Sequence, residues 1–200
     1  MGGQKSAVEI EKYAVMLRKL LGVSLPDAPD MITVIAELSS VIPEFSFQRH
    51  IDEELPEELI EAPAMADCMN KIIHVRESLY QNLLRGDTRA RMTIAHEIGH
   101  IVLGHTGNRF RKDQKGKIFG KTKIEEREAD IFASRFFAPT SKAVTCDSAH
   151  EIAEKFQISQ TAADIRYKEL SSVRGHKIPD KTMDIIEEMR KRWKKDSDRF

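Results

Sequence analysis

Apolar and polar positions along the chain fall into short periodic blocks set off by breakers. Val8, Ala14, Val15, Leu17, Leu20 and Leu21 recur among charged residues, which predicts an amphipathic helix over residues 7–21, stopped by Gly22 and packed on the rest of the protein. Residues 25–30 carry Pro26 and Pro29 and read as a turn. A second helix is expected from Met31 to Val41, with Asp30 as its cap and its end ahead of Pro43. Residues 71–76 are rich in β-branched side chains (Ile72, Ile73, Val75) between polar neighbours and predict a strand. Gly86-Asp87-Thr88 breaks that pattern, and Asp87 is placed to cap a helix over residues 88–104. Within it Ile94, Ala95, Ile98, Ile101 and Val102 keep helical spacing, so this helix is buried or half-buried. A further helix is expected over residues 125–139. Ile152, Phe156, Ile158, Ala162, Ile165 and Leu170 then outline two short helices around residues 157–160, with Ser159 capping the second. After a hinge at residues 174–179, residues 181–200 predict a charged helix with too little apolar face for a core.

Composition narrows this picture. A chain of 200 residues can bury one real core, and zero formal charge with 32% charged residues indicates solubility without a global pull toward nucleic acid. Cys68 and Cys146 are too few for a disulfide framework, which fits a reducing, cytoplasmic setting. No apolar run approaches a membrane span, and the first residues lack the apolar core of a signal peptide. The acidic run at residues 52–61 reads as solvated surface. Residues 106–123 hold Arg109, Arg111, Lys112, Lys115, Lys117, Lys121 and Lys123 against Asp113, a basic connection that is either a lid for an acidic substrate or a solvated excursion. The expected fold class is α+β, a short sheet backed by helices.

The chemistry concentrates in one helix. His96-Glu97-Ile98-Gly99-His100 has the spacing H-E-x-x-H, which sets two imidazoles one turn apart on one face, where both can bind one metal ion. Glu97 is rotated by about 100° from His96, beside such a metal rather than on it, where a carboxylate can take a proton from water. Left unpaired on an apolar helix, these polar groups would cost roughly 2 kcal/mol or more each. A catalytic zinc takes three protein ligands and keeps one position open. The third is expected from the helix over residues 125–139: Glu126 is the preferred ligand, with Glu128 and Glu125 as alternatives. Glu128 lies about 200° round the helix from Glu126, so the two cannot both be ligands. Asp130 shares a face with Glu126 and can accept a hydrogen bond from the far nitrogen of a ligating histidine. His105 falls past the ligand face and is read as a helix-end histidine or an oxyanion donor. His74 is read as structural, and Cys68 as a small buried residue rather than an inhibitory thiolate. The strand at residues 71–76 is expected along the substrate cleft, with the active site between it and the helix over residues 88–104.

The stretches Met92-Thr93-Ile94-Ala95-His96-Glu97-Ile98-Gly99-His100 and Glu126-Arg127-Glu128-Ala129-Asp130-Ile131-Phe132-Ala133, closing on Ala138-Pro139, resemble the paired signatures of the ImmA/IrrE family of zinc metallopeptidases. The resemblance spans residues 32–170. It implies a zincin-like fold and a Zn2+-dependent bacterial or phage protease that cleaves a helix-turn-helix transcriptional repressor, derepressing a mobile element or stress genes. Asp130 stands where that family often has Asn, and Phe136-Phe137-Ala138-Pro139 replaces a more usual Leu-Leu-Met-Pro, a change of packing rather than chemistry. The expected division is a helix and turn at residues 1–30, a peptidase core at 31–145, a helix-turn-helix-like segment at 146–173 and a charged tail at 174–200. Two other readings stand beside it. One is a zinc-fold binding protein that regulates without cutting. The other is a DNA-binding regulator acting through residues 150–170, which the sparse charge of that segment opposes, since Arg166 and Lys168 face Asp164 and Glu169.

Overall fold

The protein's architecture was obtained as a computed structural model, which describes residues 4–22, 28–55, 59–60, 62–105, 111–112, 118–119 and 123–171. Helix α1, Ala7–Leu20, opens with a capping box in which Ser6 Oγ accepts from the Glu9 N–H and Glu9 accepts from the Ser6 N–H. Gly22, at φ 70°, turns the chain out of it. Its buried stripe is Ile10, Ala14, Met16 and Leu17, while Val8, expected in the apolar face, is 67% exposed. Helix α2, Met31–Val41, is capped by Asp30, which accepts from the N–H groups of Ile32 and Thr33. Strands β1 (Ser46–His50), β2 (Ala64–Asp67) and β3 (Ile72–Arg76) form one sheet in the order β1-β3-β2, with β1 parallel and β2 antiparallel to β3. Ile73 and Val75 of β3 lie opposite Ala66 and Ala64 on the buried side.

This topology corrects one expectation. The strand at residues 71–76 is the middle of the sheet, with both edges paired, so it cannot line a cleft with a free edge. The strand beside the histidine-bearing helix is β2. Its sequence, Ala64-Met65-Ala66-Asp67, carries little β-propensity and therefore no strand signal.

Helix α3 (Glu77–Leu84) leads into α4 (Thr88–Leu103), which is capped by Asp87 accepting from the Ala90 N–H at 2.7 Å and closed by Gly104 at φ 67°. Strands β4 (Arg111–Lys112) and β5 (Ile118–Phe119) form an antiparallel pair; the rest of the basic connection lies outside the described residues, and with it the lid reading. Helix α5, Lys123–Phe137, packs along α4 and α1. At that contact a Cβ on Gly99 would fall 2.9 Å from Phe132 Cδ1, so glycine sets how closely α4 and α5 approach. Phe136 and Phe137 are fully buried, with Arg18 over the first ring and Arg91 over the second. Short α6 (Thr140–Ala143) precedes α7 (Ala149–Phe156) and α8 (Gln160–Leu170), whose junction turns at Gln157, φ 51°, and is capped by Ser159. The inner face of α8 is Ala163, Arg166 and Leu170, with the expected Ala162 half-buried against the core; the expected Ile165 is exposed. One apolar cluster takes in α1, α2, the sheet, α4, α5, α7 and α8. The hinge and tail expected at residues 174–200 lie outside the described residues. Among those described, no helix is long and apolar enough to cross a membrane.

Candidate metal centre

Helices α4 and α5 run against one another with His96 and His100 on the first and Glu126 on the second. The two histidine Nε2 atoms are 3.0 Å apart. Glu126 Oε2 lies 3.2 Å from His96 Nε2, and Glu126 Oε1 lies 3.5 Å from His100 Nε2. Ligands held tetrahedrally at ordinary zinc–nitrogen and zinc–oxygen lengths are separated by about 3.3 Å. The measured separations bracket that value, and the donor set of two imidazoles and a carboxylate suits a borderline divalent ion such as zinc. The residues present therefore fit a metal.

Asp130 and Glu97, beside this group, each have a definite partner. Asp130 Oδ1 stands 2.9 Å from His96 Nδ1, so the nitrogen turned away from the centre has a carboxylate partner. Burial works against a proton on His96, but hydrogen bonding to Asp130 and Glu126 and the charge of Glu97 outweigh it, and the pKa is raised to about 9 in the metal-free protein. Glu97 is buried, and its Oε2 accepts from the Ala66 N–H of β2 at 2.7 Å, which fixes the carboxylate between the helix and the edge of the sheet.

Glu128 is not with the ligand group. It is buried on the opposite side of α5, where Oε2 lies 3.1 Å from His105 Nε2 and Oε1 accepts from the Lys5 N–H at 2.6 Å. His105 Nδ1 in turn lies 2.8 Å from His100 Nδ1. Both ring nitrogens of His105 are thus engaged, which leaves neither to donate to an oxyanion. Burial pushes the His105 pKa below its ordinary value, partly offset by the hydrogen bond to Glu128. Glu125 is half-buried at the start of α5 and is not in the ligand group. Cys68 is half-buried, with Sγ 4.0 Å from the Ala66 carbonyl oxygen, and is also outside it. His74 pairs with His50 on the sheet, Nδ1 to Nε2 at 3.0 Å, in keeping with a structural role. Two partners escaped the sequence reading: the Ala66 N–H, because β2 carries no strand signal, and the Lys5–Glu128–His105 chain. A glutamate at an inward-facing position of an apolar helix is the one sign that could have revealed the latter, because a buried carboxylate requires donors.

A small mixed sheet beside two packed helices, with a H-E-x-x-H helix and an acidic partner helix meeting at a potential metal site, defines a protein of metallopeptidase type. Residues 63–168 match the peptidase M78 model, the IrrE N-terminal-like domain, and the chain belongs to that family. No curated protein matches the chain. Among solved structures, a Mycobacterium tuberculosis transcriptional regulator is similar with a TM-score of 0.41 and 13% identity over 80% of this chain and 51% of that one. The chain therefore spans about half the length of that regulator.

Proposed function

We propose that this chain is a zinc-dependent endopeptidase that cleaves a helix-turn-helix transcriptional repressor in the cytoplasm. The observation carrying the proposal is the spacing of His96 Nε2, His100 Nε2 and the Glu126 carboxylate, at tetrahedral ligand distances beside a buried, anchored Glu97. Zinc bound there would polarise a peptide carbonyl and acidify water near neutral pH. Glu97 takes the proton from the attacking water and later delivers it to the leaving amine. The Ala66 N–H holds one oxygen of that carboxylate and so sets the direction in which it reaches. Asp130 keeps the His96 ring turned, with its proton on Nδ1. An extended substrate pairs along β2, the sheet edge next to α4, rather than along the central β3. In this reading residues 31–145 form the peptidase core, and the helical pair within residues 146–173 covers it or docks the substrate. The repressor follows from the family resemblance rather than from the geometry.

The test is a cleavage assay on a purified helix-turn-helix repressor from the same source. Wild type with Zn2+ is expected to cut it, and chelation to stop the reaction. Glu97→Gln should lower the rate by roughly 100-fold to 10,000-fold while keeping the metal. Cutting by Glu97→Gln at the wild-type rate contradicts the mechanism; a zinc-loaded wild type that leaves the repressor intact contradicts the substrate.

A further inference from the structure

We propose that His105 and Glu128 are positioning residues for His100, locked from outside by Lys5, an inference that rests on the metal reading above. His100, His105 and Glu128 are 0%, 5% and 4% exposed, so three polar side chains are stacked in the interior, each within hydrogen-bond distance of the next, with Lys5 at the Glu128 end and the His96–Glu126 group at the His100 end. The left-handed turn at Gly104 folds the chain back on the end of α4, so that the His105 N–H donates to the His100 carbonyl at 3.0 Å. That brings the two imidazoles edge to face, with centroids 4.8 Å apart.

The chain of bonds has one consistent direction. Ligation through His100 Nε2 requires its proton on Nδ1, and His105 Nδ1 must then accept it. A neutral His105 carries its remaining proton on Nε2 and donates it to Glu128 Oε2. The Lys5 N–H donates to Glu128 Oε1, and Lys5 Nζ lies 3.5 Å from Oε2. The anionic end of this relay is thus fixed by the segment ahead of α1, far away in sequence, and the other end selects the tautomer of His100 that can bind a metal. Glu126, Glu128 and Asp130 divide the work of one helix. The first faces the metal, the third orients His96 directly, and the second orients His100 through His105.

The full chain, titrated with Zn2+ against a chromophoric chelator and with Co2+ followed by its visible absorption, tests this. His105→Leu is expected to weaken Zn2+ binding roughly tenfold to a hundredfold and to alter the Co2+ band, and Glu128→Gln to shift affinity in the same direction. His105→Asn, whose side-chain oxygen can accept from His100 Nδ1, should recover most of the affinity. Ile152→Ala, a core change in α7, should leave it within about twofold of wild type. Wild-type affinity in His105→Leu, equal weakening by Asn and Leu, or equal weakening by Ile152→Ala overturns the proposal. If His96→Ala loses the metal while His105→Leu keeps it, positioning alone fails. If wild type binds no better than His96→Ala, the metal reading fails and this inference with it.

Discussion

Glu126, Glu128 and Asp130 occupy alternate positions of one helix and meet three different ring nitrogens, His96 Nε2, His105 Nε2 and His96 Nδ1, so substitutions among them should have separable effects. Asp130→Ala removes the acceptor from His96 Nδ1 and should weaken metal binding by roughly tenfold or more, whereas Asp130→Asn keeps an oxygen there and should cost much less. Chelator competition distinguishes the two, and equal losses would exclude the tautomer argument. The raised pKa of His96, about 9, makes the free protein's metal affinity depend on pH. Metal must displace that proton at neutral pH, so affinity should rise with pH up to about 9, by up to tenfold per unit, and Asp130→Ala should flatten the slope. For the metal-free fold the sign is opposite. A folded pKa above the ordinary 6.5 means the stabilising contribution is complete below that value and is lost as pH rises through about 9. Thermal melts of the chelated protein should therefore weaken on the alkaline side. The places of His96, Glu97 and His100 were legible because a five-residue pattern on a helix determines which atoms share a face, whereas for the acidic partner the sequence preferred Glu126 and left Glu125 and Glu128 open. His105 was not legible, because its place depends on the left-handed turn at Gly104 and on a partner near the start of the chain.

The contact between α4 and α5 holds the two halves of the centre together, and it is closed by Gly99 against Phe132. Gly99→Ala should overpack it by about 1–3 kcal/mol, lowering both thermal stability and metal affinity, because the histidines and Glu126 are displaced together. A variant that melts and binds like wild type would show that the contact is slack. On the far side of α5, Glu11 of α1 accepts from Thr140 and pairs with Arg135 and Arg166, two arginines buried among α5, α6 and α8. Glu11→Ala leaves those charges short of an acceptor and should destabilise the fold by about 2–3 kcal/mol in denaturant melts. It should leave metal affinity per folded molecule unchanged, since this network does not touch the ligand group. The helices with apolar periods and caps (α1, α2, α4, α7, α8) were readable because local chemistry dictates them. Strands β1 and β2 and helix α3 were not, since short elements with alanines or mixed polar faces are stabilised by their neighbours rather than by their own sequence. The apolar period of α8 also misleads, since Arg166 reaches the Ala138 carbonyl at 2.9 Å and takes the buried position that Ile165 was expected to fill.

Across the whole molecule, the burial of Arg166 bears on the DNA-binding reading. With that arginine turned into the core, the outer face of α8 presents Lys168 beside Asp164 and Glu169, too little positive charge to hold phosphates. Metal binding, by contrast, should be felt throughout the fold, because the ligands come from two helices that share one core with α1, the sheet and α7–α8. At free Zn2+ about a hundredfold above Kd the folded state gains about 2.7 kcal/mol, which for a chain of this size raises Tm on the order of 5–10 °C. No shift on adding Zn2+ to chelated protein would mean that no ion bridges α4 and α5. The most direct measurement is metal content per chain, taken on wild type and Glu126→Ala after dialysis against trace Zn2+. About one zinc per wild-type chain and almost none in Glu126→Ala is the predicted result. A Glu126→Ala protein that retains the wild-type content would contradict the claim that these three side chains hold the ion.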